Sequence, residues 1–178
     1  TTVSAGASHT AAVRNDNMLF TWGSNSDGRI GDGTTVNKSS PVQIGTSSWT
    51  AIAAGQSHTT AIRTDNKLFT WGQGTYGQLG DNSLVSKSSP IQIGTSSWTA
   101  ISAGKRHNIA LRPDGRLFTW GYNESGQLGL TTTFVSPIQI GTKNWQVISE
   151  NIAHGAGIDS SNLLWTWGIN DSGQLGDG

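Results

Sequence analysis

Cysteine is absent from the 178 residues, which excludes disulfides and thiolate metal sites. Charge is scarce. Asp, Glu, Lys and Arg make up 12% of the chain, about half the ~25% of an ordinary soluble domain. Eleven residues of each sign cancel, and the cations are dispersed, so no basic stripe is laid out for a polyanion. A nucleic-acid partner is therefore not expected. No apolar run approaches the ~18 residues of a membrane span, and no signal-peptide pattern is present. Also missing are a nucleophile elbow, a phosphate loop and a dinucleotide fingerprint. The chain is accordingly read as non-enzymatic, with no catalytic residue and no cofactor.

What it does contain is a unit written four times. His9, His58, His107 and His154 recur at spacings of 49, 49 and 47 residues. Thirteen residues after each comes a Trp-Gly, at Trp22, Trp71, Trp120 and Trp167. Each copy closes on Gly-x-apolar-Gly, ending at Gly31, Gly80, Gly129 and Gly176. Self-similarity at such a period outranks other signals and marks a repeat architecture. The units fall at approximately 1–48, 49–97, 98–144 and 145–178, the last one incomplete.

Within a unit the signals are those of strands. Trp49–Gly55 is short and β-compatible, and His58–Arg63 alternates with a period of two. Thr64-Asp65-Asn66 is a turn, as is its counterpart Pro113-Asp114-Gly115. Lys67–Gly72 is a second, more aromatic strand. A Gly-rich loop then leads to Pro90–Gly94, an edge strand opened by proline, and Thr95-Ser-Ser turns into the next unit. Four short antiparallel strands repeated every 40 to 50 residues predict the blades of a β-propeller. The fold class is all-β, about three and a half blades, half of a seven-bladed ring. We expect the chain to be part of a longer protein, or two copies to complete one ring.

Ala-Gly-x-x-His, then Leu-Phe-Thr-Trp-Gly and Gly-Gln-Leu-Gly, in register through the whole chain, resembles the regulator of chromosome condensation repeat family, of bacterial or viral type. The resemblance implies a seven-bladed propeller. The family's namesake is a guanine-nucleotide exchange factor for a small GTPase that also docks on nucleosomes. The inserted wedge and basic tail serving those activities have no counterpart here, so no residue is carried over for them. Other members act as protein-binding scaffolds.

Each candidate feature also has a structural reading. One His per blade places the four rotated apart in a ring, unable to converge on a metal; pairing with a neighbouring turn or blade accounts for them. The recurring Trp residues behave as core rather than as a base-stacking platform. Asp16, Asp65 and Asp114 are turn residues, not paired catalytic carboxylates. The varying positions carry the functional expectation. They precede each His or follow each Trp-Gly (Ser24 to Asp27, Gln73 to Tyr76, Tyr122 to Ser125, Ile169 to Ser172). Tyr76, Lys105, Arg106 and Tyr122 are the candidate protein-binding residues, since Tyr and Arg favour binding hot spots. The leading function is a protein-binding or scaffold propeller of unspecified compartment. Its alternatives are a structural or adhesive component of a virion or bacterial surface and, third, a nucleotide-exchange factor.

Overall fold

The computed structural model describes residues 1–177 and is all-β, with thirteen strands and no helix among them. Four antiparallel groups follow one another along the chain. Blade one is β1 (Thr2–Ala5), β2 (His9–Val13), β3 (Met18–Gly23) and the first part of β4 (Lys38–Ala54). Blade two takes the rest of β4, then β5 (His58–Arg63), β6 (Leu68–Gly72) and β7 (Lys87–Gln92). Blade three is β8 (Ala100–Ala103), β9 (His107–Leu111), β10 (Arg116–Gly121) and the first part of β11 (Phe134–Glu150). Blade four has the remainder of β11 with β12 (His154–Asp159) and β13 (Leu164–Gly168).

Two details depart from the expected four separate strands per unit. β4 and β11 each run 17 residues without interruption, serving as the outer strand of one blade and the inner strand of the next. The Thr-Ser-Ser turn exists only between β7 and β8; at 46–48 and 142–144 the chain bends at Gly45 and Gly141 (φ 60° and 53°) and stays extended. Pro90 lies inside β7 rather than opening it. The register there slips between Thr70 and Gly72, and the same slip recurs beside Pro41 and Pro137. A proline has no N–H for the ladder, so it sits at the irregularity of an edge strand.

The blades have no private cores. Apolar side chains cluster at the three junctions: Leu19, Trp49 and Trp71 at the first, Leu68, Trp98 and Trp120 at the second, Leu117, Trp145 and Trp167 at the third. Hairpin turns set the tryptophans that open the inner strands. The carbonyls of Asn17, Asn66 and Gly115 accept from the N–H of Trp49, Trp98 and Trp145, and those three turn residues have φ of 66°, 64° and 78°. Such left-handed turns are what Asn and Gly supply. The second tryptophan of each pair packs 6.1, 6.3 and 5.8 Å from the first, centroid to centroid.

Candidate functional site

Each junction is also joined by polar groups, and the repeated His and Trp supply them. Trp71, Trp120 and Trp167 donate from Nε1 to the carbonyls of Arg29, Gln78 and Gln127, inside the closing Gly-x-apolar-Gly loop of the preceding blade, each at 3.0 Å. That approach requires glycine. A Cβ on Gly31 or Gly80 would lie 2.6 or 2.8 Å from the indole nitrogen of the next blade. Gly129 leaves more room, a Cβ there lying 3.8 Å from the Trp167 ring, and a Cβ on Gly176 would meet nothing within 4 Å among the described residues. Trp22, in blade one, is half-buried.

The histidines form a ladder across the blades. His9 Nε2 is 2.9 Å from Thr59 Oγ1, and His58 Nε2 is 3.0 Å from Asn108 Oδ1. Thr59 and Asn108 each follow the His of the next blade by one position, and they donate onward to the carbonyls of Arg29 and Gln78. Burial holds His9 and His58 down at about 4, assisted at His9 by the charge of Arg29. The third rung differs. His107 Nε2 meets Glu150 Oε2 at 2.7 Å, and both side chains are fully buried. Burial lowers the imidazole to about 4 and pushes the Glu150 carboxyl well above its usual range. Both directions favour uncharged partners sharing one proton. Glu150 Oε1 and His107 Nδ1 have no hydrogen-bond partner. His154, half-buried, stands in the last blade. Among the described residues no three His, Asp or Glu side chains gather as a metal site needs.

Ends of the inner strands from all four blades, centred on Gly6, Gly55, Gly104 and Asn151, line a groove of about 460 Å³ on the side where a ring would have its channel. From its lip the Lys105-Arg106 turn leads into β9, held by the Gly104 N–H donating to the His107 carbonyl at 3.0 Å. Arg106 reaches back over blade two. Its guanidinium carbon is 4.1 Å from the centre of the Tyr76 ring and 5.8 Å from that of Tyr122. The two tyrosines pack edge to face at 5.3 Å. Tyr76 is placed by its N–H donating to Gln78 Oε1, and Tyr122 by its N–H donating to the Arg106 carbonyl. The Tyr122 hydroxyl hydrogen-bonds the Glu124 carboxylate. Tyr76, Arg106 and Tyr122 thus come together from two blades, with Lys105 exposed beside them.

Not every varying position is free surface. Asn25 and Asn123 are buried, each accepting from the N–H five residues on (Ile30, Leu128) and donating to two loop carbonyls. They organise the Gly-rich loop and belong to the scaffold. Asn170 repeats the register in blade four, a usable signal that Gly74 interrupts in blade two.

Antiparallel blades joined through shared junction cores and closing loops define a β-propeller protein. The profile of the regulator of chromosome condensation (RCC1) repeat matches residues 16–62, 65–111 and 114–156, and a second profile of the same repeat matches 1–29, 49–78 and 98–127. The chain belongs to that family. Among solved structures, human WBSCR16 is 23% identical with a TM-score of 0.89, the match covering 99% of this chain and 49% of that one. Prp20p of Saccharomyces cerevisiae is 23% identical with a TM-score of 0.88 over 98% and 45%, a structure reported together with binding to Gsp1p and histones. The same yeast protein bound to Kap60 aligns at 20% identity, with a TM-score of 0.87 over 99% and 45%. The chain spans about half the length of these relatives. No curated protein sequence matches it.

Proposed function

We propose that this chain is a non-catalytic propeller segment that binds another protein through the rim carrying Tyr76, Lys105, Arg106 and Tyr122. The observation that carries the reading is the stack itself. Arg106 lies over Tyr76 while Tyr122 braces the ring from the side. Aromatic and Arg side chains already ordered before contact lose little conformational freedom on binding. The repeated polar groups, by contrast, are engaged in blade-to-blade bonds. Relatives of the same fold are reported with Gsp1p, histones and Kap60, which lends weight to a protein partner of some kind.

The test is photo-crosslinking from Thr75, exposed next to Tyr76. A captured protein should be lost in the Tyr76→Ala/Tyr122→Ala double variant, while the fluorescence melting curve of the eight tryptophans stays where it was. Capture that persists in the folded double variant sends the binding to another surface. Accelerated nucleotide release from a small GTPase would replace this reading with an exchange activity.

A further inference from the structure

Cations in this chain are almost all accounted for internally. Of the eleven Lys and Arg, seven pair with aspartates. Arg112 donates to Ser96 and Lys67 to the Thr95 carbonyl. Two remain, and they are consecutive. Among the described residues Lys105 and Arg106 make neither an ion pair nor a side-chain hydrogen bond, and Arg106 Nε is buried with no acceptor. The contrast with blade one is instructive. There the rim cation Arg29 is closed by Asp27, Ser26 and Ser8. In blade three the Glu124 carboxylate accepts from the Tyr122 hydroxyl instead.

Between blades three and four, Lys105, Arg106 and Tyr122 meet Gln127 and Ile152 around a crevice of about 170 Å³. Ile152 is 64% exposed at its edge. The Arg106 guanidinium carbon stands 4.1 Å over the Tyr76 ring, and with no acceptor on its side chain among the described residues its terminal N–H groups are available to a carboxylate. The geometry points to an anion site at Lys105 and Arg106 that takes an Asp or Glu side chain of a partner protein, with an apolar neighbour of that residue resting on Ile152. This rests on the rim reading above and adds the partner's chemistry to it. A nucleic acid fits less well. Arg106 covers the face of Tyr76 that a base would stack on, and no third unpaired cation continues a track for a phosphate backbone.

The experiment is selection of random twelve-residue peptides on the 178-residue chain, followed by affinity measurements on variants. Enriched peptides should carry Asp or Glu next to an apolar residue. They should bind Arg106→Gln about tenfold more weakly or worse, as loss of charge-assisted hydrogen bonds implies. Arg106→Lys should fall between. Lys105→Gln, at an exposed position, should weaken binding with the melting curve unchanged, which keeps the test clear of folding defects. Raising ionic strength should weaken every acidic peptide. Enriched peptides without acids that still require Tyr76 and Tyr122 would overturn this inference and leave the rim reading standing. Peptides indifferent to all four residues, or no enrichment at all, would overturn both. Competition by single-stranded oligothymidylate at lower concentration than the acidic peptides would reassign the site to nucleic acid.

Discussion

At position 155 the fourth blade carries glycine where the second and third carry Thr59 and Asn108, and Glu150 supplies the partner for the preceding histidine. The two changes fit one space, since a Cβ on Gly155 would lie 2.5 Å from Glu150 Oε1. Asp159 and Trp165 are a second such exchange. The earlier blades lay Arg over Phe at 4.8, 4.7 and 4.1 Å; here the Trp165 indole donates to Asp159 at 2.9 Å. The buried rungs predict opposite pH effects. His9, His58 and His107 titrate near 4 when folded and at 6.5 otherwise. The unfolded chain therefore gains protons first, and stability falls as pH drops from 6.5 toward 4, by up to ~1.4 kcal/mol per pH unit for each histidine. Glu150 runs the other way. Its carboxyl, raised when folded, makes the unfolded chain lose its proton first, so stability is lost as pH rises above 4.5. Glu150→Gln keeps the size and can hydrogen-bond His107, so its urea midpoint should exceed wild type by a margin that grows as pH rises above 4.5. A uniform loss at every pH would show that the carboxyl is not held neutral. Glycine offers a cleaner comparison. Gly80 and Gly126 share φ near 70° (72° and 71°), but only Gly80 faces an indole nitrogen, at 2.8 Å. Gly80→Ala should cost about 1–3 kcal/mol more than Gly126→Ala in urea unfolding; equal losses would mean the Trp120 contact relaxes freely. The glycines and histidines were legible because they repeat. Their partners were not, because Thr59, Asn108 and Glu150 differ in type and meet their histidines only across a junction.

Strands longer than a blade change how the elements hold together. β4 pairs with β3 through its first half and with β5 through its second, so blades one and two share an unbroken backbone; β11 does the same for three and four. Of the three blade boundaries, only that between β7 and β8 is made of irregular chain. The sequence shows the four-strand unit, since alternation, hairpin turns and proline all mark it. Continuity through Thr46-Ser47-Ser48 is hidden, because the same Thr-Ser-Ser at 95–97 leaves the strand. Amide exchange should follow this organisation. β5, β6, β9 and β10 are flanked by strands on both sides and are almost wholly buried, whereas β13 pairs among the described residues with β12 alone and exposes Leu164 at 69%. Amides of β12 and β13 should exchange well before those of β9 and β10, as local opening tracks buried contacts. Equal protection across the chain would instead show one cooperative unit.

Four blades in an arc present two terminal faces, and the face of blade four is apolar. Leu164 occupies the register of Leu19, Leu68 and Leu117, which are 0%, 0% and 1% exposed, and it shares a cross-strand row with Ile158 and Val147, the last 54% exposed. A face built to pack against another blade is costly to leave in water, at roughly 25 cal/mol per Å² of apolar surface. The family and the arc were both readable from the repeat. What covers this face was not, because a joining face and a buried junction carry the same residues; Leu164 differs from Leu68 only in what lies next to it. Taken alone, the 178-residue chain should therefore self-associate. Light scattering should give a mass above the 18.7 kDa of one copy, and a value near twice that would be two arcs meeting face to face. Leu164→Lys with Val147→Lys should return the mass to one copy while β5, β6, β9 and β10 keep their slow amide exchange, since neither residue belongs to the junction cores. A wild-type chain that scatters as a single copy at high concentration would mean that the face is tolerated in water, and that the arc needs no neighbour to be stable.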